Sequence, residues 1–337
     1  MTRGREKLEH MMKFLLRNIV RFVLLMVAVS AVAFALVSAS PIDPVQANVG
    51  QNALLTMSDE HRAQLAAYWG GDLPLWERYA QWLQGVLQGD WGTSLRYDAP
   101  VMEVVAHKAQ NSLLLMLAAW IISGALGFAM GVAAGANRDS LIDRAVRGYC
   151  YVLASTPAFW LGLLLLMVFA VQLGWLPIGF STPIGVKAAD ATVLQQLQCM
   201  VLPALTLSLT GVANIALHTR EKTIDVLESH YMRFALSRGE GKPEAVLHHG
   251  LHNLALPALT LQFASVSEIF GGSVLVEQVF SYPGLGQAAV TAGLGGDAPL
   301  LVAIALVSAA IVFGGNLIAN VLYGVIDPRM KGGEAHA

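Results

Sequence analysis

Charge is scarce in this sequence. Asp, Glu, Lys and Arg make up 13% of its 337 residues, about half the share found in soluble domains. So few charges cannot cover the water-facing surface of a chain this long, which sets aside the two soluble domains its length would otherwise suggest. Basic excess is also lacking. The formal net charge is −2 and no Lys/Arg stripe occurs, which argues against a nucleic-acid partner. Cysteine is nearly absent: Cys150 and Cys199 stand alone, with no CxxC or Cys/His spacing, so a structural zinc site has no ligand set. No GxxxxGK[ST] stretch is present, hence no loop of that kind to cradle ATP phosphates. Apolar residues, at 55%, exclude a disordered chain.

What is present is a series of apolar runs. A transmembrane helix needs about 20 mostly apolar residues. Six segments approach that length: 19–39, 112–135, 149–173, 200–217, 256–280 and 300–325. Lipid cannot satisfy free backbone groups, so each is expected to be helical. The prediction is an all-α polytopic membrane protein with about six transmembrane helices. The first segment follows Lys13, Arg17 and Arg21 and ends near Val37-Ser38-Ala39, which resembles a signal cleavage site. Its apolar run of about 17 residues exceeds the usual signal core, and five spans follow, so it reads as an uncleaved anchor. Met12 competes with Met1 as the biological start.

Lys and Arg fall in alternate loops. Arg3, Arg5, Lys7, Lys13 and Arg17 precede the first span; Arg138, Arg144 and Arg147 follow the second. Arg220, Lys222, Arg233, Arg238 and Lys242 follow the fourth, and Arg329 and Lys331 follow the last. The stretch 281–299 has neither residue type, and the third-to-fourth loop has only Lys187. The positive-inside rule then puts both termini, 1–18 and 326–337, in the cytoplasm and 40–111 outside. Asp72 and Asp297 are expected outside; Arg144, Arg238 and Lys331 inside. Cys150 and Cys199 fall at opposite ends of their helices, about 30 Å apart. A disulfide spans only about 6 Å between Cα atoms.

Two segments outside the spans carry helical patterns. Leu75-Trp76-Glu77-Arg78-Tyr79-Ala80-Gln81-Trp82-Leu83 places aromatics at helical spacing, and Gly89-Asp90-Trp91-Gly92-Thr93-Ser94 reads as a turn. A helix lying at the membrane interface and a partner-binding cap both fit. Between the fourth and fifth spans, 223–236 carries Ile224, Leu227, Tyr231, Phe234 and Ala235 at helical spacing. Ser237-Arg238-Gly239 breaks that run and 243–256 resumes it, which predicts a helix–glycine–helix hairpin. His248 and His252 share a helix face beside His249, but no Cys or clear carboxylate ligand stands near, and a solvated or partner-facing surface is the simpler reading.

At this hairpin the sequence resembles a known family. Tyr231-Met232-Arg233-Phe234-Ala235-Leu236-Ser237-Arg238-Gly239, followed by His249-Gly250-Leu251-His252-Asn253-Leu254-Ala255-Leu256-Pro257, is similar to the EAA loop of bacterial ABC-importer permeases. More narrowly it resembles the dipeptide/oligopeptide/nickel group. Ile42-Asp43-Pro44-Val45, the stretch from Pro74-Leu75-Trp76 to Ser94, and Asn111-Ser112-Leu113 fit that group in order. So do Ser155-Thr156-Pro157-Ala158-Phe159-Trp160, Gly174-Trp175-Leu176-Pro177, Val276-Glu277, Phe280-Ser281-Tyr282-Pro283-Gly284-Leu285-Gly286 and Asp327-Pro328-Arg329. Two positions depart: Arg233-Phe234-Ala235 stands where Glu-Ala-Ala is archetypal, and His252 where Arg is common before Asn.

The resemblance implies the type I importer permease fold in the bacterial cytoplasmic (inner) membrane. The core would span 112–325, with the coupling loop at 219–255. It implies a second homologous permease subunit, two cytoplasmic ABC ATPase subunits that hold ATP and Mg, and an extracytoplasmic solute-binding protein. The chain itself would bind no cofactor and would not be an enzyme. The coupling residues would be Tyr231, Arg233, Ala235, Ser237, Arg238, Gly239, His252 and Asn253, although Gly239 also reads as an ordinary helix stop. Tyr282, Pro283, Gly284 and Gly286 form a tight turn or an outer gate. Substrate choice among dipeptide, oligopeptide, nickel and a metal chelate stays open. A secondary carrier would show paired intramembrane charges or inverted repeats, and a membrane enzyme a catalytic cluster at one depth; neither pattern is found.

Glu268 lies about 12 residues into the fifth span, roughly 18 Å along the helix and so near the bilayer centre. A carboxylate there is expected to face protein or water, on a polar face with Gln262, Ser265 and Ser267. Fastening helices and lining a translocation path are both open to it. Gly271-Gly272 follows and would allow close helix approach.

Overall fold

The computed structural model describes residues 2–39, 58, 74–186 and 190–326. Ile42-Asp43-Pro44-Val45, Asp72, Lys187, Asp327-Pro328-Arg329 and Lys331 lie outside the described residues. Helices dominate. In chain order they are α1 (Thr2–Ser38), α2 (Leu75–Leu87), α3 (Val101–Ala136), α4 (Leu141–Ala154), α5 (Ala158–Leu165, continued by a π-helical stretch Leu166–Gln172) and α6 (Val193–Leu227). Then come α7 (His230–Ser237), α8 (Lys242–Ala245, continued by π-helical Val246–Gly250), α9 (Leu251–Ala264), α10 (Val266–Val279), α11 (Leu285–Leu294) and α12 (Ala298–Ile326). A hairpin of two short antiparallel strands, β1 (Thr93–Ser94) and β2 (Ala99–Pro100), precedes α3.

Among the described residues, four helices are long and apolar enough to cross a membrane: Leu16–Ser38, Val101–Ala136, Val193–Leu227 and Ala298–Val321. Two pairs qualify only when joined across a break, Leu141–Ala154 with Ala158–Gln172 (bent by 106°) and Lys242–Ala264 with Val266–Val279 (bent by 50°). Counting each pair as one span gives six.

The third span is therefore not the single helix that its hydropathy predicts. Pro157 disfavours helical geometry in the residue before it, and the chain turns at Ser155-Thr156-Pro157. Local hydroxyls bond back onto the last turn of α4: Ser155 Oγ donates to the Tyr151 carbonyl at 2.8 Å, beside the Ser155 amide, and Thr156 Oγ1 donates to that of Val152 at 2.7 Å. Other helices outrun their apolar cores. The second begins at Val101, not near Ser112, and the fourth covers Val193–Leu227 rather than 200–217. Hydropathy marks only the part that lipid would cover. The fourth starts on a capping box, with Thr192 and Gln195 each satisfying the other's backbone.

The described chain divides into two compact units: Met1–Asn111 with Gly284–Phe313, and Ser112–Pro283 with Gly314–Ala337. In the first, α2 lays its aromatics on α1. Tyr79 and Trp82 pack on Phe34 with ring centroids 5.5 and 6.0 Å apart, and the Ser30 and Tyr79 hydroxyls are hydrogen-bonded at 2.8 Å. A second apolar cluster gathers Val101, Val105, Leu285, Ala288, Leu300 and Ile304. Asp297 is fully buried. It accepts hydrogen bonds from Ser94 Oγ (2.6 Å) and the Arg96 amide (3.1 Å), and caps the first turn of α12 through the Leu300 amide (3.3 Å).

The second unit is built on α6. Its core holds Leu115, Leu202, Leu207, Val276 and Phe280. Along one seam α3 presents Gly127, Gly131 and Gly135 to α6. A Cβ at these positions would come within 2.8 Å of Ile215, 2.6 Å of Thr219 and 2.5 Å of Thr223 respectively. Only glycine permits so close an approach. On another side of α3, the Trp120 indole donates to the Gln262 carbonyl (2.8 Å) and the Gln262 amide donates to the Trp120 carbonyl (2.5 Å).

Candidate functional site

The hairpin that follows α6 is the first candidate. Its sequence pattern predicts one helix through 223–236, yet Ser229 is extended, with φ −69 and ψ 156, so α6 stops at Leu227 and α7 starts at His230. The break resets the helical phase. Met232, Ala235, Ala245, Val246 and Leu254 now form a small core of their own with Val226. Phe234, which the unbroken pattern would bury beside Leu227 and Tyr231, is instead 64% exposed. Leu247 is exposed to a similar degree, and Tyr231 and Leu251 are partly so. A compact hairpin thus carries an outward apolar face flanked by Arg238, His248, His249 and His252, all exposed.

The turn is where the glycine places it. Gly239 has φ +90, a left-handed conformation that other residues adopt only under strain. Nothing lies within 4 Å of where its Cβ would be, so the requirement is conformational and not steric. Arg233 donates from Nε (2.9 Å) and Nη2 (2.6 Å) to the Glu228 carbonyl, tying α7 back onto the end of α6. Asn253 Nδ2 donates to the Tyr231 hydroxyl at 2.9 Å, joining the two arms. The Arg238 guanidinium lies 5.9 Å over the Phe234 ring, and Ser237 Oγ donates to the Phe234 carbonyl. Of the residues singled out in the sequence, Tyr231, Arg233, Ser237, Arg238, Gly239, His252 and Asn253 are exposed, whereas Ala235 is buried in the hairpin core. Phe234, named as part of the apolar pattern, and Leu247 were not among the residues given a coupling role. The signal that could have found Phe234 is Glu228-Ser229, a helix stop followed by a capping residue.

The second candidate surrounds Glu268. It sits in the first turn of α10, just past the 50° bend at Ser265, and its side chain is exposed. Next to it Ser267 Oγ donates to Asn316 Oδ1 of α12 at 3.0 Å, and Gly315 lets that helix approach Val266. Gln262 does not share this surface. It is 3% exposed, and its amide is wedged against Trp120 and Ser123 of α3, where Gly124 leaves room. The polar face expected from spacing is split by the bend, which turns α10 away from α9. Ser265 donates back to the Gln262 carbonyl at 2.8 Å.

The residues of the third candidate divide between the two units. In the second unit Tyr282 is buried, and its amide donates to the Glu277 carbonyl at 2.8 Å. Burial, with Glu277 nearby, pushes its phenol up to about 12. Pro283 ends this unit. In the first unit Gly284 caps α11 and Gly286 is buried in its first turn.

Comparison with known proteins follows the same lines. The family described as binding-protein-dependent transport system inner membrane component matches residues 127–332, and its N-terminal companion matches 11–120. The oligopeptide transport system permease protein AppB of Bacillus subtilis is 32% identical over 324 residues, covering 95% of this chain and all of its own. The dipeptide transport system permease protein DppB of Escherichia coli K12 is 30% identical, covering 95% of this chain and 99% of its own. The glutathione transport system permease protein GsiC of Salmonella choleraesuis is 33% identical, with the same coverage.

Proposed function

The chain belongs to the binding-protein-dependent transport system inner membrane components, and from that premise we propose that it imports peptides as one half of an ATP-driven pore. It is a multi-pass inner-membrane permease subunit of an ABC importer. The peptide assignment rests on its relatives, whose names specify oligopeptide, dipeptide and glutathione transport. In this reading a second homologous permease completes the pore and an external solute-binding protein delivers the substrate. Two ABC ATPase subunits hold ATP and Mg and grip the α7–α9 hairpin. Both termini and that hairpin face the cytoplasm.

One observation carries the coupling role: a self-packed hairpin that leaves Phe234 and Leu247 exposed beside basic and histidine side chains. A short apolar helix face of this kind suits a groove in a partner, and rigid-body motion of the partner would move it as a unit. Glu268 is assigned to the translocation path. It is exposed in this subunit, and a carboxylate at membrane depth must meet water or protein.

The test is reconstitution of the complete transporter in liposomes, with ATP enclosed and dialanine, tetraalanine, glutathione and Ni²⁺ offered in turn. ATP-dependent uptake of a peptide is expected. Uptake driven by a proton gradient without ATP, or uptake of Ni²⁺ alone, would overturn the assignment. In the same complex Phe234→Asp should reduce co-purification of the ATPase subunits about tenfold or more, as loss of an aromatic anchor does. Undiminished co-purification removes the hairpin from that role. Glu268→Gln should assemble normally and slow uptake; assembly with undiminished uptake takes Glu268 off the path.

A further inference from the structure

Behind the hairpin, the turn between α3 and α4 is bound to the last turns of α6 at three points. The innermost is an ion pair. Arg220 donates from Nε to Asp143 Oδ1 at 2.5 Å and from Nη2 to Oδ2 at 2.8 Å. The Asp143 side chain has no exposed surface and that of Arg220 only 8%. Ser140 caps α4 through the Asp143 amide, and the amide of Asp139, itself at φ +62, donates to Asp143 Oδ2 at 2.9 Å. Arg147 Nε lies 3.4 Å from Oδ1. The second point is Gly135, packed on the Arg220 carbonyl and Thr223. The third is Arg138, whose Nη1 donates to Glu228 Oε1 at 2.9 Å. Glu228 is also the residue whose carbonyl receives Arg233 of the hairpin.

We propose that Asp143 and Arg220 are positioning residues of the transport cycle, locking the α3–α4 turn to the end of α6 so that displacement of the hairpin is carried into α4. This rests on the coupling role assigned to the hairpin. A buried ion pair is a poor source of stability, because desolvation offsets the attraction and apolar residues of equal volume do as well. What a two-pronged guanidinium–carboxylate contact does supply is direction, since it fixes angle as well as distance. Arg220 and Glu228 are eight residues apart, about 12 Å along α6. The inner attachment is buried and the outer one, Arg138 with Glu228, is exposed, so the buried fork sets the angle of the α3–α4 turn and the outer pair adds a second point against pivoting. Beyond α4 the chain turns by 106° into α5, whose Gly162 packs against Thr206, Val279 and Phe280. The linked parts therefore run from the hairpin to the far part of α10.

The test uses the complete transporter in liposomes and reads ATP hydrolysed per peptide imported, for equal amounts of assembled complex. The peptide is whichever of dialanine, tetraalanine or glutathione the wild-type complex takes up. Asp143→Asn keeps the shape and removes the charge. Arg220→Lys keeps the charge and removes the fork. Both should raise the ratio about fivefold or more, the scale of a typical coupling between sites. Asp225→Asn removes an exposed pair confined to α6, with Lys222 at 3.5 Å, and should leave the ratio alone. A wild-type ratio in both Asp143→Asn and Arg220→Lys overturns the proposal, whatever their yield. So does failure of both to assemble, which would make the pair a folding requirement only. Absence of ATP-dependent uptake in the wild type would instead sink the assigned function.

Discussion

Asp143 and Arg220 stand 77 residues apart in the chain and meet through two hydrogen bonds on a carboxylate that solvent does not reach. Arg220→Met strands that carboxylate. Its remaining charged neighbour, Arg147, is at 3.4 Å and one third exposed. Breaking one side of a buried pair costs about 3–5 kcal/mol, so the melting temperature of the purified complex should fall clearly. The double variant Asp143→Leu with Arg220→Met removes both charges and should recover most of that loss. Thermal unfolding of the three proteins in one detergent compares them directly.

The glycine seam predicts a sharp contrast between positions. Gly131→Ala pushes a methyl group to within 2.6 Å of the Ala216 carbonyl and of Thr219 Cβ. Backbone cannot yield cheaply, and overpacking of this kind costs about 1–3 kcal/mol. Gly148, within α4, has nothing within 4 Å of its Cβ position. Gly148→Ala should be neutral or slightly stabilising, by up to about 1 kcal/mol. Equal melting temperatures for the two variants would contradict the seam.

Asp297 holds the short hairpin and the start of α12 together through its two oxygens. Asp297→Ala leaves the buried Ser94 hydroxyl without its acceptor and uncaps the helix. The two effects sum to about 3 kcal/mol. Limited proteolysis should then cut first within 88–100. Resistance equal to that of wild type would show that the clasp is dispensable.

Orientation is tested best at exposed positions. Asp297 is buried, so a cysteine there would report burial and not sidedness. Leu294, 74% exposed at the end of α11, and Phe234 on the hairpin suit the purpose. A membrane-impermeant maleimide should label Leu294→Cys in intact cells, and Phe234→Cys only after permeabilisation. The two native cysteines are buried, which keeps the background low. The reverse pattern would invert the topology.

How much of this was legible in the sequence follows the range of the forces involved. The α2 amphipathic stretch, the helix–turn–helix hairpin and the left-handed Gly239 depend on a few neighbouring residues, and local patterns announced them. The elbow at Pro157 was written in the sequence too, but apolar residues on both sides concealed it, because hydropathy registers composition and not a change of direction. The exposure of Phe234 was not legible, because one extended residue, Ser229, shifts the phase of everything after it. The buried Gln262 and the pairing of Asp143 with Arg220 depend on helices far apart in the chain, and no local pattern encodes them.

Gly127, Gly131 and Gly135 recur every four residues on α3, and so do their partners Ile215, Thr219 and Thr223 on α6. The seam is therefore nearly periodic along its own axis. A slip of one helix by four residues, about 6 Å, would set a β-branched side chain over a glycine again at two of the three places. Packing alone defines that register only weakly. The same slip would draw Arg220 out of hydrogen-bond reach of Asp143. The ion pair thus acts as an end stop, selecting one alignment from a set that the glycines leave almost degenerate.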